Sequence, residues 1–335
     1  MIKKLMPWVM SRFNVGKLDD FISKAPIFKY AYRFFFQKTI EYDFPRHLFI
    51  EPTSACNFRC KMCPRTNNDT LVGNMDFEIF KKIIDESKNY GPISFSLHLF
   101  GEPFLAPKII EMIEYIKKSD PNNTILITTN GALLNEEKAR DIVKYKVDKI
   151  TFSFTSPDKN TYQEKAGVDK LEEVEKNIEK LVNIKKEARS RKPLIFARMI
   201  VAEDTKSQAS DFVEKWKNTG VVSEVRKIHN FGGNIKGSLR EKQRKRYPCY
   251  HLWLAPGIHW NGDFSICCDD PQRKTLLGNV KQSSVHEIWT GEKLKQYRRF
   301  HLEGRYDLVP VCKDCDVWTM YSDLFFEYQK NKSSR

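Results

Sequence analysis

Three cysteines, Cys56, Cys60 and Cys63, stand in the spacing C-x3-C-x2-C within residues 51–65, which read E-P-T-S-A-C-N-F-R-C-K-M-C-P-R. Thiolates are soft ligands and select zinc, copper or iron–sulfur centres. A closed structural zinc site wants a fourth Cys or His at hand. The nearest downstream candidate, His98, lies in an apolar run. An iron–sulfur cluster held by three cysteines instead leaves one iron free to bind a small molecule. Zinc ligation and buried thiols remain open from the spacing alone. Five further cysteines follow: Cys249, then Cys267 after C-x17-C, Cys268 beside it, and Cys312 and Cys315 as C-x44-C-x2-C from Cys267. Clustered cysteines in a chain of this length point to metal ligation in a reducing compartment, not to a disulfide scaffold.

The surrounding pattern must place these thiols. From about residue 46, short apolar runs alternate with amphipathic helices. Strands are expected at 47–51, 93–100, 124–129, 147–154, 194–201 and 221–228. Helices are expected at 76–89, 107–118, 135–145, around 171–181 and at 207–218. This alternation predicts a parallel α/β sheet or barrel. Working residues then sit at the C-terminal ends of strands, where the first cysteine loop falls. Residues 231–246, with Gly232, Gly233, Gly237 and the basic run R-E-K-Q-R-K-R at 240–246, read as a linker with a solvated loop. Beyond it, a hairpin is expected around 260–267, turned at Asn261-Gly262, and a helix at 285–300.

Residues 1–45 form a basic, aromatic leader, and 331–335 a polar tail. The leader is able to lie on a membrane surface or to pack its rings on the body with its cations outward; packing is the favoured reading. No run approaches a transmembrane length and the N-terminal apolar stretch is short, so a cytoplasmic protein is expected. The net charge of +14 suits acidic partners, but the lysines are spread along the chain instead of forming one basic module.

The motifs together resemble the radical S-adenosylmethionine (SAM) enzymes. C-N-F-R-C-K-M-C resembles that family's cluster motif, F-G-E-P at 100–103 its second-strand motif, and T-T-N-G at 128–131 its third-strand end. S-F-T-S-P-D at 153–158 and H-N-F-G-G-N at 229–234 fall where later SAM contacts are expected. Two positions depart from the family pattern: Phe100 replaces a glycine, and Met62 stands where an aromatic is frequent.

The resemblance implies a partial (β/α)6 TIM-like barrel over residues 46–234, followed by a linker and a small C-terminal α+β domain of twitch or SPASM type over 235–330. It implies a SAM-binding 4Fe–4S cluster on Cys56, Cys60 and Cys63, and SAM contacts at Met62, Glu102, Asn130 and Ser153. Arg198 and Arg226, on the fifth and sixth expected strands, would be buried charges if they point into the barrel, and each is a candidate for holding SAM or substrate. G-N-V at 278–280 and H-E-I-W at 286–289 resemble the C-terminal extensions. An auxiliary 4Fe–4S cluster is expected on Cys249, Cys267, Cys312 and Cys315, with Cys268 as a core thiol, although the two neighbours are exchangeable. The implied reaction is reductive cleavage of SAM to a 5′-deoxyadenosyl radical that takes a hydrogen atom from substrate. Oxidation of a small polyol or sugar is the leading expectation, with the auxiliary cluster accepting the second electron. Modification of a peptide or protein side chain is the alternative. A flavodoxin or ferredoxin is the expected reductant. A non-enzymatic iron–sulfur or zinc protein that binds nucleic acid is the competing class; it has no need of F-G-E-P or T-T-N-G, and no nucleic-acid partner is expected.

Overall fold

The structure is a computed structural model that describes residues 42–67, 72–235, 246, 248–249 and 251–318. Most of the expected leader and all of the tail lie outside the described residues.

Nine strands form a continuous sheet. They are β1 (His47–Ile50), β2 (Ser94–Leu97), β3 (Thr124–Thr129), β4 (Lys149–Phe154), β5 (Leu194–Val201), β6 (Val222–Lys227), β7 (Gly257–Ile258), β8 (Asp263–Ser265) and β9 (Leu276–Asn279). Their order is β6-β5-β4-β3-β2-β1-β7-β8-β9. The first six run parallel in sequence order without reversal, as in a (β/α) barrel. The barrel stays partial, because the free edge of β1 is taken by β7 instead of β6.

Helices α1 (Phe77–Ser87), α2 (Ile109–Ser119), α3 (Glu136–Lys144), α4 (Lys159–Ala166), α5 (Leu171–Glu187) and α6 (Ala209–Lys215) connect these strands. Each parallel strand needs such a crossover. In α1 the buried Phe80, Ile83 and Ile84 recur at helical spacing and face the sheet. Strand β5 alternates: Ile195, Ala197, Met199 and Val201 are buried, while Phe196, Arg198 and Ile200 on the other face are partly open.

Four elements differ from the sequence expectation. Helix α4 was not expected, although Asp158 caps its start and Gly167 its end. The expected helix 285–300 is two helices, α8 (Val285–Trp289) and α9 (Glu292–Leu302), parted where Gly291 adopts an extended conformation. A four-residue helix α7 (His251–Leu254) precedes the hairpin. The hairpin does turn through Asn261 and Gly262 (φ +89°), but its first strand lies earlier, at β7.

The C-terminal region is also tied to the barrel by side chains. Glu86 of α1 accepts 2.8 Å hydrogen bonds from the Val285 and His286 N–H groups at the start of α8. Lys82 donates to the Val280 carbonyl at 2.6 Å. The Trp289 indole, fully buried, donates to the Tyr42 carbonyl at 2.7 Å.

Candidate active site

The first cysteine loop leaves β1 and is clamped on two sides. On one side the Glu102 N–H donates to the Ala55 carbonyl at 2.7 Å. A Cβ on Gly101 would lie 1.9 Å from the Thr53 carbonyl oxygen, so only glycine permits this approach. On the other side the Arg59 and Lys61 N–H groups donate to the Ala166 and Lys165 carbonyls at 3.1 and 2.9 Å. These are open carbonyls at the C-terminus of α4. Gly167 (φ +72°) again permits the contact, since a Cβ there would sit 2.9 Å from the Arg59 oxygen. Glu51, at the end of β1, is 1% exposed and accepts from the Phe100 and Trp260 N–H groups. It thereby joins the second loop and the C-terminal hairpin to the cysteine loop.

Within this loop the thiols are half-buried. Burial pushes Cys60 up to about 12, and the neighbouring Cys63 and Cys56 push the same way. Cys56 and Cys63 are raised mainly by burial too. Such a group is poor at holding three thiolates by itself and is suited to a cationic centre that deprotonates them on binding. The Phe58 N–H donates to Cys56 Sγ at 3.4 Å, ready to bond a ligating sulfur.

A cavity of about 380 Å³ opens beside the loop. Met62, Asn130, Ser153 and Arg198 all line it, together with Cys60 and Cys63. Ser153, Arg198 and Glu224 are in register across β4, β5 and β6. Arg198 Nε donates to Glu224 at 2.7 Å, and Arg226 also pairs with Glu224. Burial works against the Glu224 carboxylate, but Arg198 and Arg226 outweigh it and hold its pKa down. Arg226 itself is not in the cavity wall.

Glu102 is placed differently from the expectation. It is 2% exposed and absent from the wall. Its carboxylate accepts from Thr129 Oγ1 at 2.6 Å and from the Asn130 and Phe104 N–H groups at 2.7 and 3.1 Å. It fixes the end of β3, and through it Asn130, whose side chain donates to Asn57 in the cysteine loop at 2.8 Å. His98 does line the cavity. Its Nδ1 accepts the Thr128 N–H at 3.2 Å, so the ring proton sits on Nε2.

Of the second group of cysteines, Cys268 lines this cavity, while Cys249, Cys267, Cys312 and Cys315 are not in its wall. Cys249, Cys312 and Cys315 are each pushed up by burial, and Cys267 adds to the shift in every case. Each of these three thiols is thus close enough to Cys267 to feel its charge. The Asp269 N–H donates to Cys267 Sγ and the Val317 N–H to Cys315 Sγ, both at 3.3 Å. This repeats the arrangement at Cys56. Cys268, expected in the core, lines the cavity instead, beside Asp269 and His251. Ligand atoms of His251, Cys267, Cys268 and Asp269 lie within 4.8 Å of one another.

The loop after β6 closes the wall between the two sets. Asn230 exchanges hydrogen bonds with Asp316 at 2.8 and 3.1 Å and donates to the Asp314 carbonyl at 2.6 Å. A Cβ on Gly232 (φ +64°) would meet Val311 at 2.5 Å. Residues 231–235 are thus packed against the Cys312–Cys315 turn instead of forming the start of a free linker. His229 and Phe231 face the cavity from this loop.

Comparison with known proteins agrees with this geometry. Residues 50–196 match the radical SAM superfamily model, and 249–316 match the SPASM model, an iron–sulfur cluster-binding domain. The chain belongs to the radical SAM superfamily. It is a radical SAM enzyme with a SPASM-type domain, and its cofactors are SAM, a 4Fe–4S cluster and auxiliary iron–sulfur centres. It is 25% identical to a tungsten-containing aldehyde ferredoxin oxidoreductase cofactor-modifying protein of Pyrococcus furiosus, over 81% of this chain and 87% of that protein. It is 22% identical to an S-adenosyl-L-methionine-dependent 2-deoxy-scyllo-inosamine dehydrogenase of Niallia circulans, over 83% and 96% respectively. In fold it is similar to BtrN in complex with AdoMet and 2-DOIA, with TM-score 0.58, 18% identity, and 81% and 92% of the two chains covered. Among the described residues no helix is long and apolar enough to cross a membrane.

Several contributors to the site had escaped the sequence reading: Glu51, Asn57, Tyr162 and Asp269. Tyr162 had a local signal in the Asp158 and Gly167 caps of its helix; the others act through partners distant in sequence.

Proposed function

We propose that this radical SAM enzyme oxidises a small polyol or sugar-type substrate by two electrons. The observation that carries the proposal is the single cavity that runs from Cys60 and Cys63 to Cys268 and Asp269, next to Cys267. Its volume is in the range of small-molecule sites. A substrate there lies between the two cysteine sets. In this reading the SAM-binding cluster rests on Cys56, Cys60 and Cys63, and the auxiliary cluster on Cys249, Cys267, Cys312 and Cys315. When bound, SAM would supply the hydrogen-abstracting chemistry and the auxiliary cluster an acceptor for the second electron, with the substrate's hydroxyl proton released to a cavity base or water.

The chain's own residues bind, orient and exclude water. Met62, Asn130, Ser153 and Arg198 hold SAM, and Glu102 acts through the Asn130 backbone. His98, Thr128, His251 and Asp269 offer the cavity hydrogen-bonding groups that suit hydroxyls. The likeness to the Niallia circulans dehydrogenase supports the same substrate class. An acidic flavodoxin or ferredoxin as reductant suits the charge of +14.

Anaerobic reconstitution followed by dithionite and SAM tests the reading. Wild type releases 5′-deoxyadenosine, faster when the right polyol is present, and Cys60→Ala abolishes release. A Cys312→Ala/Cys315→Ala double variant still releases it but yields no oxidised product. Its iron content falls from about eight to about four per chain. Release that responds to a peptide and to no polyol, or oxidation by the double variant at the wild-type rate, overturns the proposal.

A further inference from the structure

Arg246 ends the basic run that the sequence presents as a solvated loop. The structure folds it onto the second cysteine set. Its guanidinium lies 4.5 Å from the Tyr306 ring centroid and 5.4 Å from that of Trp318. Its Nη1 donates to the Cys312 carbonyl at 2.7 Å, and the Tyr306 hydroxyl donates to the Arg246 carbonyl at 3.0 Å. Its Nε is buried and has no hydrogen-bond partner among the described residues. No carboxylate among them pairs with it.

A half-buried guanidinium whose Nε lacks a partner among the described residues is served by an anionic counterpart. The hydrogen bond from its Nη1 to the Cys312 carbonyl sets the guanidinium beside a thiol of the second cysteine set, which becomes anionic when it ligates a metal centre. The nearby His301 accepts the Cys249 N–H on its Nδ1 at 3.2 Å.

We propose that Arg246 is the counter-charge of the auxiliary cluster and raises its reduction potential, which fits the cluster to accept the substrate's electron. The inference rests on the assignment of Cys249, Cys267, Cys312 and Cys315 as its ligands. Reduction adds one negative charge to a centre already bonded to four thiolates. A fixed cation nearby stabilises the reduced state more than the oxidised one.

The test is a potentiometric titration of the reconstituted enzyme followed by electron paramagnetic resonance, and it needs no substrate. Arg246→Gln lowers the midpoint of the auxiliary signal, Arg246→Lys restores most of it, and the signal of the SAM-binding cluster does not move. An unchanged midpoint in Arg246→Gln with full iron content overturns the proposal, as does an equal shift of both clusters. Iron of about four per chain in wild type removes the ligand assignment and the proposal together; full iron with an unchanged midpoint removes the Arg246 role alone. If Arg246→Gln fails to hold the cluster, retention by Arg246→Lys supports the charge role, and loss in both variants overturns it.

Discussion

Glu102 sits in the motif that resembles a SAM contact, yet its carboxylate is spent inside the protein on three donors. Gln in its place offers one carbonyl oxygen and turns an NH₂ group toward at least one of those donors. Glu102→Gln is therefore expected to cost about 1–3 kcal/mol, read as a lower urea midpoint. Burial pushes the Glu102 carboxyl from 4.5 up to about 7 despite its hydrogen bonds. A raised carboxyl keeps its proton in the folded state after the unfolded chain has released it. Its contribution is then greatest below pH 4.5 and is lost as pH rises through about 7. The stability difference between wild type and Glu102→Gln is expected to shrink over that window, and a constant difference contradicts it. At this scale, Cys56, Cys60 and Cys63 were legible because their signal is local spacing. Met62, Asn130 and Ser153, named from motifs, and Arg198, named from its place on the fifth strand, all line the cavity. Glu51, Asp269 and the packed position of Arg246 were not legible, because each is defined by partners far along the chain.

Among the elements, the cysteine loop has little regular structure of its own and takes its shape from its two clamps. Gly101→Ala forces a Cβ into the Thr53 carbonyl. Overpacking of this kind costs about 1–3 kcal/mol, and here the strain falls on the loop that carries Cys56 and Cys60. The expected outcome is lower iron retention and slower 5′-deoxyadenosine release, with the auxiliary signal retained. Equal loss of both clusters would instead indicate general unfolding. The six parallel strands were readable from apolar runs that alternate with amphipathic helices. Helix α4 was passed over because its sequence, K-N-T-Y-Q-E-K-A, has only Tyr162 and Ala166 buried and so little apolar period. Its caps were the better signal. Gly291 likewise divided what periodicity joined.

The whole molecule is less divisible than its two sets of motifs suggest. The C-terminal hairpin extends the barrel sheet, and Glu86, Lys82 and Trp289 fasten its helices to the first half. Removing the Glu86 carboxylate leaves the first two N–H groups of α8 without their acceptor. By analogy with a lost helix cap, Glu86→Ala is expected to cost about 0.5–2 kcal/mol. Faster proteolysis within 285–318, with little change in 5′-deoxyadenosine release, is the outcome to look for; unchanged proteolysis counts against this docking role. Sequence alone marked the two regions but not their union, since β7 has only two residues and no pattern announces its partner.

The pairing of β1 with β7 has a consequence for synthesis. Strand β1 is the first of the sheet to leave the ribosome, yet one of its edges stays uncovered until Gly257 and Ile258 have been made. During that interval the nascent chain presents unpaired N–H and C=O groups on an apolar strand, a template for wrong association. Chains ended just before residue 257 should accumulate as aggregates even though every barrel strand is present. Co-expression with a fragment that begins near residue 246 should recover soluble material if closing this edge is what the barrel lacks.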